Sequence, residues 1–505
     1  MAATPSRSSA APVDPVRSSA TPERDRPDPG GIPIRTILLG VAGVMLLALG
    51  GTGAGAVLKH DPLIADTSLS WIRYGHGHDL ATAVLYLGLG LVIWSWVRLG
   101  RMVRNRHVGS PAVLTAVVAW TLPLLFAPPL FSKDIYSYLA QGQLKLNGLD
   151  PYSVGPAVLQ SPLSENVSWV WQNTPAPYGP LFLMLAEGVV WATGASVIGG
   201  VVLMRFALAC GLVLLCWSLP GLTRHLGGRP ATALWLVAAN PLMLVHLIGG
   251  AHNDLLMVGL MAAGVLLVLD RRHVLGLAVV TLAFAVKATA VVALPFLVLV
   301  WARRLHGTRN ARLGRAVAGG VAVFALVFGA TTLVSGLDLG WVPALSSSST
   351  IVNWLSLPSA VGDFAHTVVS SFVRVEPTWF MTVARGLGSL LLVYIAWRQW
   401  RAAEDGGAEA VRRAAITMLA VALLSPATLP WYFSWALVLA AGFAWTTTGL
   451  KAAAFFSTWL LLVTFPNGDT ALYSWGYLAL VTAVCALACA TLTRPDPLKL
   501  SGRYT

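Results

Sequence analysis

The densest run of polar and aromatic side chains in the apolar part of this 505-residue chain is Ser132-Lys-Asp-Ile-Tyr-Ser-Tyr138. An ionisable group at the end of an apolar stretch, at membrane depth, is a functional candidate by default. Asp134 is therefore a candidate for chemistry, with a solvated helix end-cap as its plainer reading. Helical spacing puts Tyr138 and Gln141 on its face, with Lys133 and Tyr136 to the sides. Asn147 to Tyr152 follows as a turn in which Gly148 relieves the backbone and Pro151 stops any helix, so Asp150 and Tyr152 join the same polar stretch.

Three further segments add candidates. Trp169, Trp171 and Thr174-Pro-Ala-Pro-Tyr-Gly-Pro180 form a stiff, ring-rich wall that includes Tyr178; an interfacial aromatic belt is the alternative. Gly249-Gly-Ala-His-Asn-Asp254 gathers an imidazole, an amide and a carboxylate in His252, Asn253 and Asp254, a set suited to sugar hydroxyls, unless Asn253 or Asp254 simply caps the next helix. Lys287 interrupts the apolar stretch from Val274 to Val300, where it is placed to neutralise a phosphate or, alternatively, to snorkel. Weaker signals are His76-Gly-His78, which lacks a defined third ligand for a metal, and the formal sequon Asn166-Val-Ser168. Ser346 to Thr350, with Asn353 and Trp354, is a polar run suited to a lid or an acceptor surface. No G-x-x-x-x-G-K-[ST] cradle for a nucleotide occurs, and Gly50, Gly51, Gly53 and Gly55 lie where small residues usually serve helix packing.

The elements that must position these residues follow from composition. Hydrophobic residues make up 56% of the chain and charged residues 11%, against about 25% charged in ordinary soluble domains, so most of the surface does not face water. The mean hydropathy of +0.70 is spread along the chain, which excludes a soluble enzyme and indicates an all-α, polytopic helical membrane protein. At about 20 apolar residues per crossing, about 14 transmembrane helices are read, within a range of about 12 to 15. They run Ile34 to Leu58, Asp79 to Leu99, Pro111 to Phe131, Val201 to Leu222, Ala231 to Ile248, Asn253 to Leu269 and Val274 to Val286. The second half runs Ala288 to Ala302, Ala316 to Val334, Thr378 to Trp397, Arg413 to Thr428, Trp431 to Thr446, Ala452 to Phe465 and Trp475 to Leu492. All four cysteines (Cys210, Cys216, Cys485 and Cys489) sit inside apolar runs as small core residues.

The net charge of +13 rests on 28 Arg and 6 Lys gathered at the ends of apolar runs. That pattern is a topology signal and makes nucleic acid an unexpected partner. Placing Arg98/Arg101/Arg104/Arg106, Arg224/Arg229, Arg271/Arg272, the cluster from Arg303 to Arg315, and Arg398/Arg401/Arg412/Arg413 on the cytoplasmic side leaves both termini inside. It also puts 26 of the 34 basic residues there. Residues 1–31, rich in Pro, Ser, Ala and Arg, read as a disordered cytoplasmic tail, and residues 32–505 as the membrane domain. The long segments 132–177 and 335–377 are then external loops, where function is expected. Tyr178 to Trp191 is read as an external interfacial or re-entrant helix, because a full crossing there would put Thr223 to Arg229 outside.

Taken in order, Ser132-Lys-Asp-Ile-Tyr-Ser-Tyr138 with Gln141-Gly142, Gly148-Leu-Asp-Pro-Tyr152, Thr174-Pro-Ala-Pro-Tyr-Gly-Pro-Leu181, Ala251-His-Asn-Asp254 and Leu429-Pro-Trp-Tyr432 form a specific set. This set resembles the actinobacterial polyprenol-phosphate-mannose-dependent α-1,6-mannosyltransferases, members of the GT-C class of membrane glycosyltransferases. The resemblance spans roughly Ile34 to Leu492. It implies a GT-C-like helical fold in the plasma membrane with its active site in the first large external loop. It also implies a polyprenyl-phosphate mannose donor and a lipid-anchored mannan acceptor of the lipomannan and lipoarabinomannan type. Neither metal nor cofactor is implied. The GT-C pattern typically has an acidic pair in that loop; here Tyr136 stands in place of the second acid, which leaves Asp134 as the catalytic candidate.

The chemistry agrees with a single carboxylate. A polyprenyl phosphate leaves without protonation, so one base that deprotonates the acceptor hydroxyl suffices, and attack opposite the leaving group turns a β-linked donor into an α-linked product. The paired carboxylates of glycoside hydrolases are not required. Alternatives are a GT-C transferase for another lipid-linked sugar, such as arabinose or glucose, or a secondary transporter, for which internal repeats would be expected and none is convincing. A non-catalytic scaffold fits least, given the concentration of polar residues in one external loop.

Overall fold

A computed structural model describes residues 31–194 and 196–495. The expected tail, residues 1–31, lies almost wholly outside them. Among the described residues the regular elements are all helical and no sheet forms. The chain opens with α1 (Ile34–Ala54), α2 (Gly75–Arg104) and α3 (Ser110–Phe126), followed by α4 (Asp134–Leu146), the single-turn α5 (Pro162–Glu165) and α6 (Pro180–Thr193). The middle comprises α7 (Val197–Leu226), α8 (Pro230–Leu236), α9 (Asp254–Leu269), α10 (His273–Val286), α11 (Leu294–Ala302) and α12 (Arg309–Ser335). The rest comprises α13 (Trp341–Ala344), α14 (Leu357–Ser370), α15 (Pro377–Ala402), α16 (Gly407–Leu424), α17 (Phe433–Ala440), α18 (Thr447–Leu462) and α19 (Trp475–Ala490).

Among the described residues five helices, α1, α2, α7, α12 and α15, are long and apolar enough to cross a membrane, and α3, α6, α10, α19 and the segment 288–302 are apolar but shorter. The protein is thus a polytopic helical membrane protein. Small residues let its helices touch, as expected for glycines inside spans. A Cβ at Gly88 in α2 would sit 2.6 Å from the Gly43 carbonyl in α1, and one at Gly259 in α9 would collide with the Gly211 backbone in α7. Trp96 and Trp235 lock α2 to α8 by exchanging bonds: each indole N–H donates to the other's carbonyl at 2.9 Å, and the rings stack at 4.8 Å.

The expected crossing Ala231 to Ile248 is broken. Asn240 and Pro241 interrupt it, and the Asn240 side chain bonds Leu236 O, Ser457 Oγ and the Leu242 N–H in place of helix continuity. The chain resumes as a π-helical turn, Met243–Gly249, then bends by 116° into α9. The segment expected as an external helix, Tyr178 to Trp191, forms the 14-residue α6, shorter than a crossing requires. It packs on α4, with Gly142 against the Ala186 carbonyl and Lys145 bridging Glu187 at 2.5 Å.

These contacts define two ends of the bundle. At one end, Arg229 reaches Val103 O at 3.2 Å, His225 meets Asp270 at 2.6 Å and Arg304 meets Leu269 O at 2.8 Å, so the ends of α2, α7, α9 and α11 share a level. The other end of α9, about 24 Å away at 1.5 Å per residue, opens beside the start of α4 and the Lys287 end of α10.

Candidate active site

Two backbone segments carry the polar residues at this second end, and one arginine clamps them together. Arg205 in α7 is 1% exposed, and its guanidinium donates to Ile248 O (3.0 Å), Gly249 O (2.6 Å), Pro128 O (3.0 Å), Leu125 O (3.4 Å) and Ala127 O. A fully buried cation is tolerated only with such complete satisfaction. Leu130 N–H also bonds Gly249 O at 3.2 Å, completing the bridge between the segment before Asp134 and the π-helical turn before His252. Phe131 and Ala251, which lead into those residues, hold φ of 60° and 54°. Non-glycine residues occupy this left-handed region at a cost of about 1–2 kcal/mol each, and such backbone strain clusters at functional sites.

Asp134 is the first residue of α4, with a side chain 17% exposed. Its Oδ2 lies 3.4 Å from Nδ1 of His252, which is fully buried; the pair is within ion-pair reach though without hydrogen-bond geometry. His252 stacks on Trp431 at 3.6 Å, and the Trp431 ring lies 5.4 Å from that of the buried His246. The next charge belongs to Asp254, also fully buried. Its two oxygens accept from Lys287 Nζ at 2.9 and 2.8 Å, and Oδ1 accepts from Trp435 Nε1 at 2.6 Å. Lys287 Nζ also sits 4.9 Å from the Tyr432 ring and 5.5 Å from that of Trp435. The expected free cation is therefore committed: the Lys287 charge is met by Asp254 and two aromatic faces, and Asp254 is in turn occupied as an acceptor.

The aromatic wall closes one side. Tyr138 meets Tyr178 at 5.2 Å and Phe182 at 4.9 Å, both edge to face, and the Tyr152 hydroxyl donates to Tyr178 O at 3.0 Å. The Gly179 N–H donates to Val286 O at 3.3 Å, which seats the wall beside Lys287. Burial first, then the nearby Tyr178, Asp134 and Asp254, push the Tyr138 phenol well above its usual range, so it stays a protonated donor.

The structure thus brings together Asp134, Tyr138, Tyr178, His252, Asp254 and Lys287, with Tyr152 as a brace. Lys133 is exposed beside Asp134. Gln141 and Asn253 are buried, and Gln141 Oε1 and both polar atoms of the Asn253 amide have no protein partner among the described residues. Asn253 makes no capping bond to α9, so the capping alternative does not describe it. Two expected site residues face elsewhere. The Tyr136 hydroxyl donates to Ala56 O at 2.7 Å, because two residues along a helix turns the side chain to the opposite face from Asp134. Asp150 is exposed and serves its own turn, accepting from Tyr152 N–H at 2.9 Å and from the Ser153 hydroxyl. Among the described residues no group of three or more His, Cys, Asp or Glu is arranged to hold a metal ion.

Trp435, Trp431, Tyr432, His246 and Arg205 escaped the sequence reading as site residues. A signal existed for each side of the site: Leu429-Pro-Trp-Tyr432 starts a 3-10 turn that carries into α17, and Arg205 is an ionisable residue inside a 30-residue apolar helix.

One partly exposed carboxylate, an imidazole, a neutralised ion pair and an aromatic wall thus meet at one end of a helical membrane bundle. Residues 37–303 match the family model described as α-(1→6)-mannopyranosyltransferase, N-terminal domain, and residues 358–494 match the MptB C-terminal domain. Among curated proteins, α-(1→6)-mannopyranosyltransferase A of Mycobacterium tuberculosis is 42% identical over 91% of this chain and 89% of its own. α-(1→6)-Mannopyranosyltransferase A of Corynebacterium glutamicum is 33% identical over 88% of this chain and 95% of its own. α-(1→6)-Mannopyranosyltransferase B of the same organism is 29% identical over 81% and 72%. No solved structure matches the chain. The chain belongs to the α-(1→6)-mannopyranosyltransferase family and is a membrane mannosyltransferase.

Proposed function

We propose that the protein transfers mannose from polyprenyl-phosphate mannose to a lipid-anchored α-1,6-mannan of the lipomannan or lipoarabinomannan type, at the outer face of the plasma membrane. The observation that carries this reading is the meeting of Asp134 with His252 at the end of the bundle opposite the basic clusters. Positive charge favours the cytoplasmic side, so both termini lie inside and the site outside.

The acceptor oxygen bonds to C1 of mannose as the bond from C1 to the phosphate oxygen breaks with inversion. Asp134 takes the hydroxyl proton, and polyprenyl phosphate departs with the electron pair. His252 orients the carboxylate. Lys133, exposed one residue before Asp134 and without an ion pair among the described residues, is placed to meet the phosphate, since Lys287 is held by Asp254. The amides of Asn253 and Gln141 and the phenol of Tyr138 supply bonds for sugar hydroxyls; buried polar groups without partners are costly unless a ligand uses them.

Vesicles of known orientation, loaded with polyprenyl-phosphate mannose and offered a soluble oligomannoside outside, test both halves of this reading. Right-side-out vesicles should elongate the oligomannoside, and nucleotide-linked mannose should yield nothing. Elongation confined to inverted vesicles would refute the orientation, and transfer from the nucleotide sugar without lipid donor would refute the donor.

A further inference from the structure

The basic end of the bundle holds a pocket of about 220 Å³ where α11 and α15 end and α12 begins. Four arginines converge on it: Arg303, Arg309, Arg312 and Arg401. The acids nearby are outnumbered. Glu404 takes Arg309 at 2.5 Å and Arg401 at 3.9 Å, and Asp405 takes Arg303 at 3.2 Å. Arg312 forms no ion pair or side-chain hydrogen bond among the described residues, and its Nε is buried without a partner. A topology signal alone explains arginines spread through water at the membrane surface. It does not explain four of them turned into one concavity, one with a desolvated donor left unused.

The floor of the pocket is apolar, formed by Leu299 and Trp400. α11 lies between two membrane helices here: it packs on α12, and Trp400 of α15 donates to Pro295 O at 3.3 Å. α12 and α15 both turn apolar side chains outward along their length, including Val321 and Leu326 on one and Leu390 and Val393 on the other. A cationic pocket with an apolar floor, set between helices whose outward faces are apolar, matches an amphiphile with a phosphate head.

We infer that this pocket is a regulatory or anchoring site for a phosphate-bearing anion, with an anionic phospholipid headgroup as its source, distinct from the transfer site about 24 Å away along α9. Guanidinium groups bind phosphate oxygens in paired, charge-assisted bonds, and basic pockets between membrane helices on the inner side are suited to such headgroups. Arg312 supplies the unused donor, and Arg309 and Arg401 surround the phosphate while remaining in reach of Glu404.

The test titrates dihexanoyl phosphatidylglycerol, its phosphatidylcholine analogue and inorganic phosphate into the purified full chain in neutral detergent, followed by calorimetry. Phosphatidylglycerol should bind saturably and the zwitterionic analogue should not. Arg312→Gln, which removes no bond of the fold, should weaken binding about tenfold, the loss of one hydrogen bond to a charged group. Arg224→Gln, an exposed arginine at the same end outside the pocket, should leave it unchanged. Inorganic phosphate binding as tightly as the lipid, and weakened by Arg312→Gln alone, would keep the anion site and make its ligand a free phosphate. Absence of saturable binding by either anion, or equal losses in Arg312→Gln and Arg224→Gln, would overturn the proposal.

Discussion

The two ends of α9 treat charge in opposite ways. At its start, the fully buried Asp254 is paired with Lys287, whose side chain is 15% exposed, beside Tyr432 and Trp435, and the adjacent His252 and Asn253 have no exposed surface at all. Beyond its end, pairs such as Arg412 with Glu409 at 3.8 Å, or Arg401 with Glu404 at 3.9 Å, are open to solvent. An exposed pair gains little, because water screens it and two long side chains lose freedom to form it. A buried pair costs desolvation on both partners and persists only when each is complete. The ion pairs of the basic end therefore contribute little to the fold, while the other end holds its groups in fixed geometry.

The largest stability effect should follow from unbalancing the buried pair. Lys287→Met leaves Asp254 charged and unpaired, and is expected to cost about 3–5 kcal/mol by denaturant titration, whereas adding Asp254→Asn should recover most of that loss. A single substitution as mild as a surface change would mean that water reaches the pair. Next comes Asn253→Ala, where stability should hold within about 1 kcal/mol because no internal bond is lost, while turnover should fall about tenfold. Normal turnover in that variant would reduce Asn253 to a packing amide. Smallest is Arg412→Gln at the basic end, expected to change stability by at most about 0.5 kcal/mol with transfer unaffected. A loss like that of Lys287→Met would erase the distinction between the two ends.

What the sequence made legible were groups that break an apolar pattern. Asp134 and the His252–Asp254 triplet stand out because charge and amide interrupt apolar stretches at helix ends, an end-cap being the alternative reading of each, and the structure brings them together. The helical register also gave Tyr138 its place. Helical spacing set Tyr136 to the side of Asp134, whereas two residues along a helix, about 200° of rotation, carry it to the opposite face. Pairings across sequence distance were hidden: Lys287 lies 33 positions from Asp254 and meets it because α10 runs back along α9, Trp435 lies 181 away and meets it because α17 packs on α9, and Asp254 itself follows the bend between Met243–Gly249 and α9. That bend was itself masked by hydropathy, which runs on through Asn240 and Pro241. Arg205 was counted as one more basic residue, since its five carbonyl partners belong to backbone that carries no side-chain signature.

The central claim is that Asp134 removes the acceptor proton, and the most direct measurement is turnover with polyprenyl-phosphate mannose for Asp134→Asn beside Asp150→Asn. The amide keeps the size of the carboxylate but cannot take a proton. A positioned base contributes about 100- to 10,000-fold, so Asp134→Asn should lose that much with folding retained. Asp150→Asn should stay near normal, because its carboxylate serves only its own turn. A well-folded Asp134→Asn protein that keeps more than about a tenth of normal turnover would contradict the assignment, since even the low end of the general-base range demands a larger loss.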